Sequence, residues 1–349
     1  MMKQTLLGSS GLRVSELSLG TMTFGTEWGW GADYETSKHI FDAYAEAGGT
    51  FIDTANRYTE GSSERFLGDF LQADRDHFVL ATKYSLYDRP GDLNYAGNHR
   101  KNLFRSVEDS LRRLQTEAID LLWIHMWDFT TPVSEVMWAL DDLVRMGKVH
   151  YVGISDAPAW IVAQANTLAV ERGLTPFIAL QIEYSLLQRT PERDLLPMSE
   201  AFRLGITPWS PLAGGALTGK YLRNEEGRVK PESARRSDRA NRIAQQVVDS
   251  AAAIGVSPAQ LAIRWTMDQH PNSIPIIGAR KLSQLQDCLG AVDVTIPEEE
   301  ARKLEEVSAI DLGFPHDFIR QEGVQQVLYG GALEQLRWPA WRQHETPFK

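Results

Sequence analysis

Four side chains of types that transfer protons or orient substrates stand at or near the ends of three consecutive apolar runs. Asp53 ends the first run and Tyr58 follows it by five residues, while Lys83 and His125 end the next two runs. A phenol is a weak acid with a pKa of about 10, and a nearby ammonium favours its ionised form. We therefore expect Lys83 to lower the pKa of Tyr58. Asp53 would hold the ammonium in place, and His125 would orient a substrate oxygen.

Such a set of side chains can protonate a carbonyl oxygen as negative charge develops on it. Reduction also requires a hydride at the carbonyl carbon, and no amino-acid side chain supplies one, so a nicotinamide dinucleotide must bind beside them. Taken singly, Asp53 could be a helix cap and Lys83 a solvated strand end. The joint pattern favours catalysis, and the chemistry that it indicates is reduction of an aldehyde or ketone to an alcohol.

Parallel strands in a barrel would bring these residues together, because the C-terminal ends of such strands open onto one face. Helical periodicity fills the seven gaps between eight strand-like runs, in segments 34–47, 63–71, 101–114, 133–146, 159–172, 191–204, and 237–254 with 258–268. The strand-like runs are residues 16–22, 50–53, 78–83, 119–125, 149–155, 178–183, 205–210 and 273–278. Alternation of this kind is typical of right-handed βαβ units. The predicted fold is α/β, a (β/α)8 TIM barrel.

Three further segments surround the predicted barrel. Residues 3–15 carry two short apolar pieces around GSSG, which predicts an N-terminal β-hairpin. The long segment 211–237 after strand 7 is glycine-rich and basic without strong periodicity, which is typical of a functional loop that covers a site. Residues 311–349 form a polar C-terminal tail that either packs over the active-site mouth or frays. No linker divides the chain, so residues 1–349 are expected to form one barrel domain.

Composition excludes several kinds of partner. The 349 residues carry a net charge of −10 with 43% hydrophobic residues, so there is no basic footprint for nucleic acid or anionic lipid. The N-terminus lacks the pattern of a signal peptide, and no apolar stretch approaches the length of a membrane span. The single cysteine, Cys288, rules out an internal disulfide and a cysteine-based zinc cluster. A cytoplasmic location is the simplest expectation.

The chain resembles the aldo-keto reductase family, whose members are single (β/α)8 barrels that reduce aldehydes and ketones with NADPH. The resemblance runs from Gly8 to about Gly290, and the family's catalytic Asp, Tyr, Lys and His fall on the four residues above. Further matching segments are LGTMTFG at 19–25, GKVHYVGIS at 147–155, QIEYSLL at 181–187, PWSPLAGG at 208–215 and IPIIGARKLSQL at 274–285.

The resemblance also implies which residues hold the nicotinamide and diphosphate of NADP(H). Residues at the positions of Ser155 and Gln181 hydrogen-bond the nicotinamide carboxamide, and the aromatic residue at Trp209 stacks on the nicotinamide ring. The implied pyrophosphate clamp consists of Ser210, Leu212, Gly214 and Lys220. The other cofactor-binding residues implied near this end are Thr21, Met22, Asp53, Asp156, Pro211 and Ala213.

At the adenosine end, the residues implied to bind NADP(H) are Gly278, Arg280, Gln284, Asp287 and Cys288. Arg280 is suited to a 2′-phosphate because a guanidinium can bind a phosphate through two hydrogen bonds. Two positions depart from the family pattern. Asp156 stands where Asn or Arg is more usual, and Cys288 replaces a frequent Asn, which removes one expected adenine contact.

Aromatic residues after the first and fourth strands could wall an apolar substrate pocket, namely Trp28, Trp30, Trp127 and Phe129. The alternative for each of them is packing beneath a loop. The resemblance implies the reaction and a small-molecule carbonyl substrate. It leaves open which carbonyl compound is reduced, the physiological direction and the formation of homo-oligomers.

Two other classes of protein are alternatives. The β-subunits of potassium channels share this barrel and the four residues, so the chain could be an NADP-binding regulatory subunit, and turnover of a simple aldehyde would distinguish the two functions. A metal-dependent barrel hydrolase is disfavoured because paired His or carboxylate ligands are missing from the predicted strand ends.

Overall fold

Eight parallel strands form a nearly closed barrel, as the sequence predicts, in a computed structural model that describes residues 2–337. The predicted hairpin precedes the barrel as β1 (Gln4–Leu6) and β2 (Arg13–Ser15), which pair antiparallel. The barrel strands are β3 (Ser18–Gly20), β4 (Phe51–Asp53), β5 (Val79–Tyr84), β6 (Ile119–Ile124), β7 (Val149–Ser155), β8 (Phe177–Glu183), β9 (Gly205–Trp209) and β10 (Ile276–Ile277). They lie in the order β10-β3-β4-β5-β6-β7-β8-β9.

The gap between the two edge strands, β9 and β10, is bridged just before β10 begins. Ile206 in β9 donates its backbone N–H to the carbonyl of Asn272 at 2.9 Å, and Ile274 donates back to the carbonyl of Ile206 at 2.8 Å. These bonds satisfy edge groups that an open sheet would leave exposed. The strand ends are thereby arranged around one ring.

Helices connect the barrel strands, and all but one of those predicted in the gaps begin and end within one residue of the prediction. The clearest boundary is at α8, where Ser257 and Gln260 form a reciprocal capping box and Pro258 occupies the first helical position. The α-helices are α1 (Tyr34–Glu46), α2 (Ser62–Phe70), α3 (Arg100–Leu114), α4 (Val133–Arg145), α5 (Ala159–Arg172), α6 (Leu195–Phe202), α7 (Asp238–Ile254), α8 (Pro258–Asp268), α9 (Leu282–Leu289), α10 (Glu298–Ser308), α11 (His316–Ile319) and α12 (Glu322–Tyr329). Within residues 2–337, none of the helices combines the length and apolarity needed to cross a bilayer.

The helix predicted over 191–204 is shorter in the structure. A 3₁₀ turn, Thr190–Arg193, comes first, and α6 begins only after Asp194, whose φ of −145° is not helical. In that turn, Glu192 accepts hydrogen bonds from Arg189 and from the hydroxyl of Tyr184. These side-chain contacts favour the tight turn over a continuous helix.

The hairpin closes the end of the barrel where the strands begin. Leu7 and Val14 are fully buried against Phe51 and Val79, the first residues of β4 and β5. Gly8 is required at the hairpin because its φ is +59° and a Cβ there would lie 2.2 Å from the carbonyl oxygen of Ile178. With this base filled by apolar side chains, the opposite end of the barrel is the open one.

The long loop 211–237 lies at the open end of the barrel, whereas the described part of the tail does not line the cavity there. The loop contains two 3₁₀ segments, Ala213–Thr218 and Ala234–Arg236, and several of its residues line the cavity at the mouth. No residue of 311–337 lines that cavity, and the side chain of Phe314 is 85% exposed. Residues 338–349 of the predicted tail lie outside the described part of the chain.

Candidate active site

Lys83 lies at the centre of the four predicted catalytic residues, and its ammonium donates hydrogen bonds to three oxygen atoms. Nζ donates to Asp53 Oδ2 at 2.5 Å, to the carbonyl of Thr54 at 2.8 Å and to Tyr58 Oη at 3.0 Å. Asp53 ends β4 and Lys83 is in β5, and both side chains are buried. Because Tyr58 Oη accepts from Lys83, its own proton is left to be donated into the cavity.

Tyr58 is aimed at Lys83 by a strained turn that follows β4. Thr59 and Glu60 have φ values of 46° and 54°, in the left-handed region that a β-branched residue such as Thr59 rarely occupies. The hydroxyl of Thr59 donates to the carbonyl of Phe24 at 2.5 Å, which ties the turn to the loop after β3. Strain of this kind persists where the surrounding structure over-determines the conformation, as at functional sites.

Lys83 lowers the pKa of Tyr58, as expected, through its charge and its hydrogen bond, but the net shift of the Tyr58 pKa is upward. Burial raises the pKa of the Tyr58 phenol, and the charge of Lys83 opposes this effect without cancelling it. The charge of Asp53 raises the pKa of Tyr58 further. Tyr58 is therefore protonated at neutral pH and is available as an acid.

The ammonium of Lys83 stays charged although it is buried. Burial alone would lower the pKa of Lys83, but the charge of Asp53 and the contact with Tyr58 together outweigh it, so the pKa is raised. A buried cation with its carboxylate and oxygen partners in place is a permanent source of positive potential beside the phenol.

His125 completes the group as a neutral imidazole. Its ring centroid lies 5.8 Å from that of Tyr58 with the planes nearly perpendicular, at 84°. Burial and the charge of Lys83 hold the pKa of His125 well below 6.5. Its Nδ1 makes no hydrogen bond with any residue of the described chain. A neutral ring with Nδ1 as the bare nitrogen can donate from Nε2 to a carbonyl oxygen.

The activity should therefore show no titration of His125 between about pH 6 and pH 8. The reason is that the lowered pKa leaves only the neutral imidazole populated throughout this range. Profiles of kcat/KM against pH for the wild type and for His125→Asn would test this, since the variant has no titrating group at this position. A wild-type transition near pH 6.5 that disappears in the variant would contradict a neutral His125.

One cavity of 480 Å³ opens at the mouth and brings the predicted cofactor residues together. Its volume lies within the usual range for ligand sites. Of the predicted cofactor residues, only Thr21 and Ala213 do not line it. Those that line it are Met22, Asp53, Ser155, Asp156, Gln181, Trp209, Ser210, Pro211, Leu212, Gly214, Lys220, Gly278, Arg280, Gln284, Asp287 and Cys288.

The end of the cavity next to Tyr58 offers a flat indole and several polar side chains. Trp209 Nε1 donates to Asp156 Oδ1 at 3.1 Å, which fixes the tilt of the indole. Gln181 Nε2 donates to Asp53 Oδ1 at 2.9 Å, which leaves its carbonyl oxygen as an acceptor. Burial raises the pKa of Asp156. An aromatic shelf beside Gln181 and Ser155 fits an aromatic carboxamide such as nicotinamide.

The middle of the cavity is lined by a lysine and by a turn of two glycines, whose backbone is not covered by side chains of their own. Gly214 and Gly215 have φ values of 69° and 90°, and a Cβ on Gly215 would lie 2.8 Å from Lys220 Nζ. The hydroxyl oxygen of Ser210 is buried without a hydrogen-bond partner among the described residues. An unsatisfied hydroxyl and a cation against a glycine turn fit a diphosphate.

The far end of the cavity is formed around the start of α9. Arg280 is exposed and its backbone N–H donates to Gln284 Oε1 at 3.0 Å. The thiol of Cys288 is buried, which raises its pKa to about 12, so this cysteine is unreactive and acts as part of the wall.

The predicted substrate aromatics separate into two groups. Trp30 lines the cavity, and Trp28 packs on it with ring centroids 5.7 Å apart. Trp127 is buried and Phe129 is 67% exposed, and both line a different groove on the outside of the barrel together with Trp160. Only the residues that follow β3 are therefore brought to the mouth.

Sequence reasoning missed several residues that line the cavity. Two of them, Arg228 and Arg235, belong to the loop 211–237, whose basic character was the one available signal. The others are Gly20, Thr23, Gly215, Thr218, Ala259, Ile263, Ile276 and Ile277.

Comparison with known proteins agrees with this fold. A model of the aldo/keto reductase family matches residues 16–309, and the chain belongs to the aldo-keto reductase family. It is an NADP-dependent oxidoreductase that reduces carbonyl groups. Nothing in the comparisons favours the alternative of a regulatory channel subunit.

Individual relatives cover most of the chain. Norsolorinic acid reductase of Aspergillus flavus is 40% identical over 330 residues, which are 92% of this chain and 84% of that protein. Aryl-alcohol dehydrogenase [NADP(+)] of Phanerodontia chrysosporium is 37% identical over 358 residues, covering 95% of this chain and 92% of the relative. The aldo-keto reductase ausK of Aspergillus calidoustus is 38% identical over 333 residues, which are 89% of this chain and 83% of that protein.

Proposed function

We propose that this chain reduces aromatic aldehydes or ketones to the corresponding alcohols with NADPH, and that Tyr58 is the proton donor. The observation that carries the proposal is the Lys83 Nζ to Tyr58 Oη contact of 3.0 Å at the wall of a cavity that is also lined by Trp30. The name of the relative aryl-alcohol dehydrogenase supports an aromatic substrate. An indole at the mouth supports it too, because aromatic rings pack favourably against one another.

In the proposed mechanism each of the four residues has one task. When bound, the nicotinamide supplies a hydride to the carbonyl carbon. Tyr58 donates its proton to the carbonyl oxygen, and the positive charge of Lys83 stabilises the phenolate that remains. His125 donates a hydrogen bond from Nε2 to the same oxygen and orients it. Asp53 holds Lys83 in position through the 2.5 Å ion pair.

The cofactor roles implied by the family extend this proposal along the cavity. Ser155 and Gln181 would hold the carboxamide, and Trp209 would support one face of the nicotinamide ring. The diphosphate would lie on the glycine turn of residues 214–215 beside Lys220, supported by the unsatisfied hydroxyl of Ser210. Asp156 would affect the nicotinamide ring only indirectly, by accepting the hydrogen bond that holds the Trp209 indole in place.

Arg280→Ala should erase most of a preference for NADPH over NADH. A guanidinium bound to the 2′-phosphate forms charge-assisted hydrogen bonds worth about 1.5–3 kcal/mol, or roughly ten- to a hundredfold in affinity. The substitution should weaken the affinity for NADPH and leave the affinity for NADH nearly unchanged. The weakening should become smaller as the salt concentration rises, because Arg280 is exposed. Fluorescence titration of both cofactors would measure it.

A matched control for Arg280→Ala is Arg302→Ala, which removes an exposed arginine from α10 that does not line the cavity. It should leave both affinities unchanged. Equal weakening of NADPH and NADH by Arg280→Ala would mean that Arg280 supports its loop rather than binds the phosphate. An absent preference in the wild type would refute the choice of NADPH.

The proposed substrate class is tested by comparing an aromatic aldehyde with a saturated ring aldehyde of the same size. NADPH absorbance gives kcat/KM for benzaldehyde and for cyclohexanecarbaldehyde. We expect the aromatic compound to be preferred by roughly three- to tenfold, the contribution of one aromatic contact. No preference would refute an aromatic pocket, and no turnover of any carbonyl compound would favour the regulatory subunit.

The organisation of the chain is part of the same proposal. Residues 1–349 would work as one domain, because the family model spans 16–309 and no linker interrupts it. The net charge of −10 argues against nucleic acid as a partner, and we propose a cytoplasmic location. Sedimentation would establish the oligomeric state.

A further inference from the structure

Arg228 is the residue of the loop 211–237 that reaches across the mouth of the cavity. Its guanidinium carbon lies 5.3 Å from the ring centroid of Trp30, which belongs to the loop after β3. Both residues line the cavity that contains Tyr58. The loop proposed to bind the cofactor and the loop proposed to bind the substrate therefore meet at this pair.

The charge of Arg228 is uncompensated. Arg228 makes no ion pair with any residue in the described part of the chain, whereas Arg235 on the same loop pairs with Glu183 and the exposed Arg223 pairs with Glu225. Burial, together with the positive charges of Arg235 and Arg280, lowers the pKa of Arg228. A partly buried cation among cations is unfavourable unless an anion joins it.

The glycine turn shows where such an anion would lie. A Cβ on Gly214 would lie 3.2 Å from Arg235 Nη1 and 3.7 Å from Arg228 Nη2, so both guanidinium groups approach bare backbone. Lys220 approaches Gly215 of the same turn. Three cations therefore lie around the glycine turn, beside Val229, whose Cγ2 would be 2.9 Å from a Cβ on Gly214. Such a cluster is suited to a group with two negative charges close together, such as a diphosphate.

A guanidinium can bind two partners of different chemistry at once. Its flat face stacks on an aromatic ring, and its edge donates hydrogen bonds in the plane to phosphate oxygens. The guanidinium carbon of Arg228 lies over the Trp30 ring, 5.3 Å from its centroid, and Nη2 would lie 3.7 Å from a Cβ on Gly214. A lysine in the same place would keep the charge and lose the flat face.

We propose that Arg228 is a positioning residue that joins the diphosphate of the bound cofactor to Trp30, so that cofactor binding fixes the substrate wall. This proposal rests on the proposed function for the nature of the substrate, and on the cationic turn for the role of Arg228. Trp30 in turn holds Trp28 through their ring contact, so the wall is set as a unit. The consequence is positive coupling between the binding of NADPH and of an aromatic ligand.

The coupling can be measured without turnover, because NADPH and an aromatic alcohol bind together but do not react. Calorimetry gives the Kd of NADPH, and the Kd of benzyl alcohol with and without NADPH. In the wild type, NADPH should tighten the binding of benzyl alcohol by about fivefold, a coupling of ordinary size. Arg228→Ala should weaken NADPH about tenfold, the magnitude of a charge-assisted bond, and reduce the coupling to about one.

Two further variants separate charge from stacking. Arg228→Lys should restore most of the NADPH affinity but little of the coupling, because only the charge is kept. Trp30→Leu should abolish the coupling while leaving the NADPH affinity nearly unchanged. Arg223→Ala is the matched control on the same loop, since Arg223 is exposed, paired with Glu225 and outside the cavity.

Each outcome decides the inference. Equal NADPH affinities of Arg228→Ala and Arg223→Ala would overturn the diphosphate contact, whatever the enzyme reduces. An unchanged coupling in Arg228→Ala would overturn the positioning of Trp30. If aromatic carbonyls are not reduced while the tenfold loss of NADPH affinity in Arg228→Ala is observed, the proposed function fails and the role of Arg228 at the diphosphate is supported.

Discussion

Replacement of Tyr58 by phenylalanine is expected to lower kcat by roughly a hundred- to ten-thousandfold, the usual contribution of a general acid. The phenylalanine ring would keep the packing beside His125 and Lys83, whose Nζ lies 4.6 Å from the Tyr58 ring centroid. Only the proton donor is lost, so the Kd of NADPH should change by less than about twofold. Stopped-flow kinetics with a benzaldehyde substrate and calorimetric titration of NADPH would measure the two quantities.

Tyr87→Phe is the matched control, because it removes another phenolic hydroxyl at the rim of the barrel. That hydroxyl accepts a hydrogen bond from Arg57 at 2.9 Å and does not line the cavity. The control should retain kcat within a factor of about two or three, because an exposed hydrogen bond contributes little. Near wild-type turnover of Tyr58→Phe would refute the proposed mechanism.

Lys83→Met should reduce kcat by at least about a hundredfold and also destabilise the fold. The cation that stabilises the phenolate would be gone, and Asp53 would become a buried carboxylate without its partner. Breaking such a buried pair costs about 3–5 kcal/mol. Turnover, together with thermal unfolding followed by circular dichroism, would measure both effects.

The double variant Lys83→Met/Asp53→Asn distinguishes catalysis from folding. Removing the carboxylate as well should recover much of the stability, because no unpaired charge remains buried, but it should not recover turnover. Recovery of kcat along with stability would show that Lys83 acts only on the fold.

The pH dependence of Lys83→Met has a definite sign. In the wild type, the charge of Lys83 partly opposes the raising of the Tyr58 pKa by burial. Its removal should raise that pKa further, so the loss of activity at high pH should move to higher pH still. A basic limb that stays in place or moves to lower pH would argue against the Lys83–Tyr58 pairing.

Local sequence patterns predicted the elements that position the site because their boundaries have strong physical causes. The bounds of α5 and α8 agree with the prediction, since prolines precede or begin these helices and Gly173 ends α5 in the left-handed conformation. The end of β4 at Asp53 agrees as well, whereas β5 continues one residue past Lys83, to Tyr84.

Three features could not be predicted because they depend on long-range packing. The net pKa shift of Tyr58 depends on how deeply the phenol is buried, and the position of the residue after β4 does not contain that information. Arg228 lies in a loop without periodicity, so its cation–π contact with Trp30 has no local signal. Phe129 takes a φ of 57° and turns to the outer groove, which a residue count from β6 does not reveal.

The apolar hairpin seal at the base of the barrel has a practical consequence for using this enzyme on a solid support. Leu7 and Val14 fill the end where the strands begin, so Lys3 and its neighbours lie on the far side of the molecule from Tyr58. A bead or electrode coupled through an N-terminal tag would therefore hold the protein by its closed end. Substrate and coenzyme would then reach the mouth from free solution, whereas random coupling through surface lysines would also attach molecules by Lys281 at the rim and obstruct them.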